Sequence, residues 1–255
     1  MSDTSKSRRI PPPRIVLVDD NARVRETLKR LLEELDWGDG RAMVLATASA
    51  AEFKVACSAH DPDIVFVDLR LTPSFDSSKE GQELVDWVTD QQTNAGIIVY
   101  TDVPEEVDGA DTLRRGADDY ITKPANREVF IEHVRAVWRR VHRVRSSLDR
   151  PSPRGHAFQI GEWRFTPNSR SIEGPEGRAM PLTISEYQVL DHLTKAERNL
   201  ITPAAFNVFV LERASDTVDR RLDNIIYRLR KKLGGTFPIH NAGSGAYRLL
   251  ECRLV

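Results

Sequence analysis

The chain has 255 residues, 40% of them hydrophobic and 29% charged, with 37 Lys and Arg against 38 Asp and Glu. This is a soluble globular composition, long enough for one large domain or two ordinary ones, and no apolar run approaches the roughly 18 residues that span a bilayer. Its two cysteines, Cys57 and Cys252, lie far apart and its six histidines are scattered, which indicates neither a disulfide framework nor a zinc site.

The N-terminal "MSDTSKSRRIPPPR" has no apolar segment after its basic residues, so it reads as a disordered leader over residues 1–13 and not as a signal peptide. A cytoplasmic location with no membrane attachment is expected. Charge divides the remainder in two. Arg14 to Ala125 holds 12 Lys and Arg against 23 Asp and Glu, a net of −11; Asn126 to Val255 holds 22 against 14, a net of +8. Halves of opposite sign suggest two domains, the second facing a polyanion.

In chain order, strand-like apolar runs occur at "RIVLV" (14–18), "MVLAT" (43–47), "IVFV" (64–67), "GIIVY" (96–100) and "DDYIT" (118–122). Between them, "RVRETLKRLLEEL" and "AAEFKVACSA" place apolar residues three and four apart. This alternation predicts an α/β domain with a parallel sheet covered on both faces. Ligands of such sheets bind at the carboxyl ends of the strands. There the runs end in "VLVDDN", "VFVDL" and "IVYTD", and the fifth continues into "DDYITKPAN". Asp19, Asp20 and Asp68 repel one another if gathered at one edge, and magnesium, an octahedral oxygen-binding cation, resolves that repulsion. A carboxylate so placed can attack phosphorus and form an acyl phosphate. Lys123 would pair with the phosphoryl oxygens, Thr101 would donate a hydroxyl, and Lys123–Pro124 is a candidate cis peptide.

Together and in this order, "VDDN", "VFVDL", "IIVYTD" and "GADDYITKP" resemble the receiver domain of two-component response regulators, from about Arg14 to Arg140. The resemblance implies a flavodoxin-like doubly wound sheet of five parallel strands. It makes Asp68 the phosphoacceptor and Asp19, Asp20, Asp68 and the backbone carbonyl of Arg70 the magnesium ligands. Thr101 and Tyr120 become the switch pair and Lys123 the phosphoryl-sensing lysine. A glycine usual eight positions after the acceptor stands thirteen after it here, as Gly81, so "PSFDSSKE" carries about five extra residues; surface loops tolerate this at little entropic cost. A rival reading, an aspartyl phosphatase of the haloacid dehalogenase type, needs a second Asp as general acid two positions after the first. That position is Arg70, which cannot exchange a proton near neutral pH, so no enzyme is expected.

"RSSLDRPSPRGHA" (145–157) has no apolar period and reads as a linker between a receiver at 14–144 and a second domain at 158–255. Beyond it, Thr183 and Glu186 have capping-box spacing. Leu222, Ile226, Leu229 and Leu233 form an apolar helix face that Gly234-Gly235 terminates, and Arg221, Asn224, Arg228 and Lys231 lie opposite. A helix buried on one side and basic on the other suits the DNA major groove. "LTISEYQVL", "LDNIIYRLRKKL" and "GAYRL" resemble the winged-helix effector domain of the OmpR/PhoB family over roughly Phe158 to Leu249. The resemblance implies a recognition helix at about Thr217 to Leu233. Asn224 and Arg228 would face base edges, Arg221, Arg230 and Lys231 would lie nearer phosphates, and Arg220, Tyr227 and Asn241 would belong to the same DNA surface. Gly243 stands where the family's wing carries an arginine, so readout by the wing is reduced to what Asn241 or His240 can supply. Implied partners are a sensor histidine kinase, double-stranded DNA, RNA polymerase and a second copy of the chain. A regulator whose DNA binding ignores phosphorylation is the other reading.

The family pairs its receivers through charges that include a glutamate and an arginine of the fifth helix; the matching positions are Val129 and His133, so that network is incomplete. Phe130, Val134, Val137, Val141, Val144 and Leu148 recur at heptad spacing. They predict that the fifth helix extends into the linker and that its apolar stripe contributes to a homodimer.

Overall fold

A computed structural model describes residues 11–38, 40–72, 78–91, 95–148, 157–167, 169–211 and 221–255. Its N-terminal half alternates β1 (Arg14–Val18), α1 (Ala22–Glu34), β2 (Met43–Thr47), α2 (Ala50–His60), β3 (Ile64–Val67), α3 (Ser78–Asp90) and β4 (Gly96–Thr101). A single π-helical turn, Glu105–Gly109, leads into α4 (Ala110–Arg115), then β5 (Asp119–Thr122) and α5 (Arg127–Leu148). The five strands form one parallel sheet in the order β2-β1-β3-β4-β5, the doubly wound flavodoxin-like arrangement. All four residues of β3 are buried, as continuous apolar strands covered on both faces must be. Helix starts follow local chemistry: the Asn21 side chain accepts from the amides of Arg23 and Val24, capping α1.

The register positions the strand ends. Val18 lies opposite Val67, so Asp19 and Asp68 leave adjacent strands side by side. Thr101 lies opposite Thr122, which sets Lys123 beside the end of β4.

The C-terminal half contains β6 (Phe158–Ile160), β7 (Trp163–Phe165), β8 (Ser171–Glu173), β9 (Ala179–Pro181), α6 (Ile184–Lys195), β10 (Leu200–Ile201) and α7 (Pro203–Phe206). A π-helical turn, Asn207–Leu211, follows α7; α8 (Arg221–Leu233), β11 (Ile239–Gly243), β12 (Ala246–Leu249) and β13 (Cys252–Leu254) complete it. Its sheets are antiparallel, ordered β13-β6-β7-β8-β9 and β10-β12-β11. Three helices followed by the β11–β12 hairpin make a winged helix. The expected capping box is present, with Thr183 and Glu186 each bonding the other's backbone amide. Leu222, Ile226, Leu229 and Leu233 are all buried.

Helix α5 runs through Leu148, four residues into the stretch read as linker. It does so because its stripe is buried: Val141 and Val144 are 0% and 2% exposed. The expectation that this stripe serves a homodimer is corrected here. One face packs on the sheet, where a Cβ on Gly96 would stand 2.4 Å from Val137 Cγ1 and 3.0 Å from Val141 Cγ2. The other meets α6 and the 207–211 turn. A single apolar core therefore runs from β1 and β3 through α5 into the winged helix, and the stripe is satisfied within the chain. No helix among the described residues is long and apolar enough to cross a membrane.

Candidate functional site

At the carboxyl edge of the parallel sheet, ligand oxygens of Asp19, Asp20 and Asp68 lie within 4.8 Å of one another. Asp19 and Asp68 are buried and Asp20 is exposed. Lys123 closes the cluster, its Nζ 2.5 Å from Asp19 Oδ2 and 2.7 Å from Asp68 Oδ2. The peptide bond that follows it, Lys123–Pro124, is cis. Burial disfavours the charge of Lys123, but the adjoining carboxylates outweigh it and hold the ammonium above the usual lysine pKa. For Asp19 the balance is reversed. Desolvation exceeds the pull of Lys123 and raises its carboxyl above the usual aspartate value.

The remaining residues expected in this pocket surround it. The Arg70 amide donates to Asp68 Oδ1 at 3.1 Å, while the Arg70 guanidinium turns outward to Asp102 at 3.3 Å. Thr101 is fully buried, and its hydroxyl oxygen accepts from the Val103 amide at 3.4 Å. The ring of Tyr120 is inside, its hydroxyl donating to the Val103 carbonyl at 2.8 Å. Thr101 and Tyr120 thus hold the same residue of the β4–α4 connection from two sides. Gly81 is explained by contact: a Cβ there would lie 2.3 Å from Leu69 Cα and 2.4 Å from the Asp68 carbonyl oxygen. Helix α3 crosses directly over the backbone of the acceptor, and the lengthened loop leaves that crossing intact. The loop's residues 73–77 lie outside the described residues.

The expected DNA surface is placed differently. Arg221, Asn224 and Arg228, read as facing DNA, are buried against the receiver. Arg221 pairs with Asp119 at 2.9 Å. Asn224 Oδ1 accepts from Arg114 Nε at 3.2 Å. Arg228 donates to the Leu113 carbonyl at 2.6 Å and lies 3.4 Å from Glu186. Tyr227 is half exposed, with the Arg114 guanidinium 5.7 Å above its ring. Arg230, read as nearer phosphates, instead donates to the Ile239 carbonyl at 2.7 Å, bracing α8 on the hairpin. Lys231 is exposed, as is Asn241, whose side chain accepts from the Gly243 amide. Arg220 and the rest of residues 217–220 lie outside the described residues.

Sequence reasoning missed the receiver residues that meet this face. Asp119 is fully buried and joins Arg221 to His133, whose Nδ1 is 3.0 Å away. Asp118 accepts from Ser185 of α6. The signal was present in the "DDY" acids, which open a buried strand as conspicuously as Asp68 ends one; buried carboxylates require partners.

A carboxylate cluster with a lysine at the strand ends of a flavodoxin-like sheet, joined to a winged helix, defines a response regulator. The response regulator receiver domain family matches residues 15–135. The aerobic respiration control protein ArcA of Escherichia coli is 31% identical over 225 residues, 88% of this chain and 89% of that one. The transcriptional regulatory protein AruR of Pseudomonas aeruginosa is 28% identical, over 87% of each chain. In fold, a RitR mutant matches 94% of this chain and 99% of its own with a TM-score of 0.73 at 20% identity. The chain belongs to the OmpR/PhoB family of two-component response regulators, and its class is that of transcriptional regulators.

Proposed function

We propose that Asp68 accepts a phosphoryl group from a partner histidine kinase and that this modification controls binding of α8 to double-stranded DNA. The observation that carries it is the salt-bridged cluster, in which one lysine spans the two buried carboxylates. Asp68 Oδ attacks the phosphorus of the kinase phosphohistidine. The new O–P bond is an acyl phosphate, the P–N bond breaks, and the leaving imidazole takes up a proton. The donor set fits magnesium, three carboxylates within 4.8 Å of one another; with the Arg70 backbone carbonyl they would hold the ion, which would neutralise charge on the transferred group. Lys123 then exchanges its bond to Asp68 for the phosphoryl oxygens, and Thr101 turns its hydroxyl from Val103 toward them. Release of Val103 frees the backbone that also holds Tyr120, which carries the change toward α4. Beside the pocket, Val24, Leu28, Leu31, Tyr100 and Phe130 line a groove between α1 and α5 that offers the kinase an apolar surface.

In this reading the receiver comprises residues 14–144, a linker follows, and residues 158–255 bind DNA through α8 and Asn241. The regulator works in the cytoplasm as a homodimer and recruits RNA polymerase; it is not an enzyme. Acetyl phosphate with magnesium tests the site: intact-mass analysis should show one phosphoryl adduct on the wild type and none on Asp68→Asn. An adduct that persists in the variant would assign phosphorylation elsewhere.

A further inference from the structure

Side chains alternate along a strand, so neighbouring residues of β4 serve opposite faces of the sheet. Thr101 shares its face with Val99 and meets Val103, both in one apolar cluster. Tyr100 shares the other face with Ile98 and packs on the second cluster. There its ring lies edge-on to Phe130 of α5, 5.2 Å between centroids, and Phe130 stacks on Phe66 of β3 at 5.8 Å. Packing alone would be served by an aliphatic side chain, as it is at Ile98. The Tyr100 ring does more: Lys123 Nζ stands over it, 5.1 Å from its centroid. A cation within about 6 Å of a ring centroid is attracted by the negative face, more strongly where water is kept away. The Lys123 side chain is only 15% exposed.

Three groups therefore hold the ammonium: Asp19, Asp68 and the ring of Tyr100. Phosphorylation consumes the first two. Asp68 gives up its negative charge when it becomes an acyl phosphate, and Asp19 has magnesium to hold. The ring is the contact that the chemistry leaves in place. We propose that Tyr100 is the positioning residue of Lys123, its ring holding the ammonium at the strand ends while the bond to Asp68 is exchanged for the phosphoryl oxygens. The proposal rests on the reading of Asp68 and Lys123 given above and adds a residue to it. Phe130, buried and itself stacked on Phe66, fixes the ring from behind. Burial raises the Tyr100 hydroxyl above the usual tyrosine pKa, with Lys123 opposing and Asp19 and Asp68 adding to the rise. The phenol thus stays protonated at neutral pH and acts on Lys123 through its ring, not as a phenolate ion pair.

The test uses the full chain and calorimetric titration of beryllofluoride, a phosphoryl mimic, at saturating magnesium, with magnesium alone titrated separately. Tyr100→Leu keeps an apolar side chain beside Phe130 and removes the ring; Tyr100→Phe keeps the ring and removes the hydroxyl. Tyr100→Leu should bind the mimic at least about threefold more weakly than the wild type, and Tyr100→Phe should restore affinity to within about twofold, as the usual strength of a cation–π contact requires. Magnesium affinity should not fall in Tyr100→Leu, because the acids keep their places. A parallel fall of magnesium and mimic affinity would mark a distorted acid cluster and overturn the proposal. An equal loss in Tyr100→Phe assigns the effect to the hydroxyl and overturns it too. Thermal unfolding checks each variant; if Tyr100→Leu does not fold, Tyr100→Met, flexible enough to fill the same space, takes its place. Equal mimic affinity in the wild type and the ring-less variant overturns the role of Tyr100 and leaves Asp68 as the acceptor. A wild type that does not bind the mimic removes the reading of Asp68 itself, and the proposal with it.

Discussion

Asp19 holds a position that penalises its own charge, and this gives the pocket a definite pH dependence. Its carboxyl is raised above the usual aspartate value, first by desolvation, with Lys123 opposing. Only the ionised carboxylate binds a cation, so magnesium affinity is full above the raised pKa and falls as pH drops through it. The loss begins at higher pH than an exposed aspartate would show. Calorimetric titration of magnesium across a pH series should show this, and Asp19→Asn should bind weakly with a flatter profile; equal pH dependence in both would assign the effect to another group. Gly81 is the second informative residue. A methyl group there meets backbone and not a movable side chain, so Gly81→Ala should cost about 1–3 kcal/mol, as overpacking does, in urea unfolding, and slow phosphorylation by displacing Asp68. No change in either would mean that α3 moves aside freely. The pocket itself was legible in the sequence because each member stands at the end of an apolar run, where the strand period leaves no other location for it. Asp119 was legible only as a buried acid in need of a partner; that the partners are Arg221 and His133 was not, since nothing in the strand pattern names them.

Among the elements, α5 and α8 show why a periodic pattern identifies a face and not its partner. The heptad spacing from Phe130 to Leu148 correctly predicts one long helix, but the same spacing suits a second copy, a sheet or another domain. Here Val137 and Val141 meet β4 while α6 covers the far side. Val141→Asp should consequently destabilise the chain by about 3–5 kcal/mol, the cost of an uncompensated buried charge, whatever its oligomeric state; an unchanged thermal midpoint would show the stripe exposed. Helix α8 follows the same rule. Its Leu222–Leu233 face was legible as core; its Arg221–Asn224–Arg228 face reads from the sequence as a DNA surface, and the structure packs it against the receiver instead. An acidic receiver and a phosphate backbone satisfy that face with the same chemistry. Once released, Arg228 should still read bases: Arg228→Ala should relax preference at one position of each half-site by about 1–3 kcal/mol, whereas Lys231→Ala should weaken all sequences alike and flatten the salt dependence. Identical behaviour of the two variants in a binding-site selection would reverse the assigned orientation.

In the whole molecule, one of two apolar clusters and one polar interface join the parallel sheet, with its acidic pocket, to the winged helix and α8. Alternating strands and helices and the opposed charges made both halves legible, with the receiver family carried by a few strand-end motifs. Their contact was not legible, because it depends on pairing surfaces more than a hundred residues apart, Leu113 with Arg228 and Arg114 with Asn224 among them. The central claim is that modification of Asp68 governs access to DNA. Fluorescence anisotropy of a labelled duplex, titrated with wild-type and Asp68→Asn chains with and without beryllofluoride, tests it most directly. The account predicts that the mimic tightens binding by the wild type about tenfold, within the usual range of allosteric coupling, and leaves Asp68→Asn unchanged. Equal affinities of the wild type in both conditions, or the same gain in the variant, would contradict it.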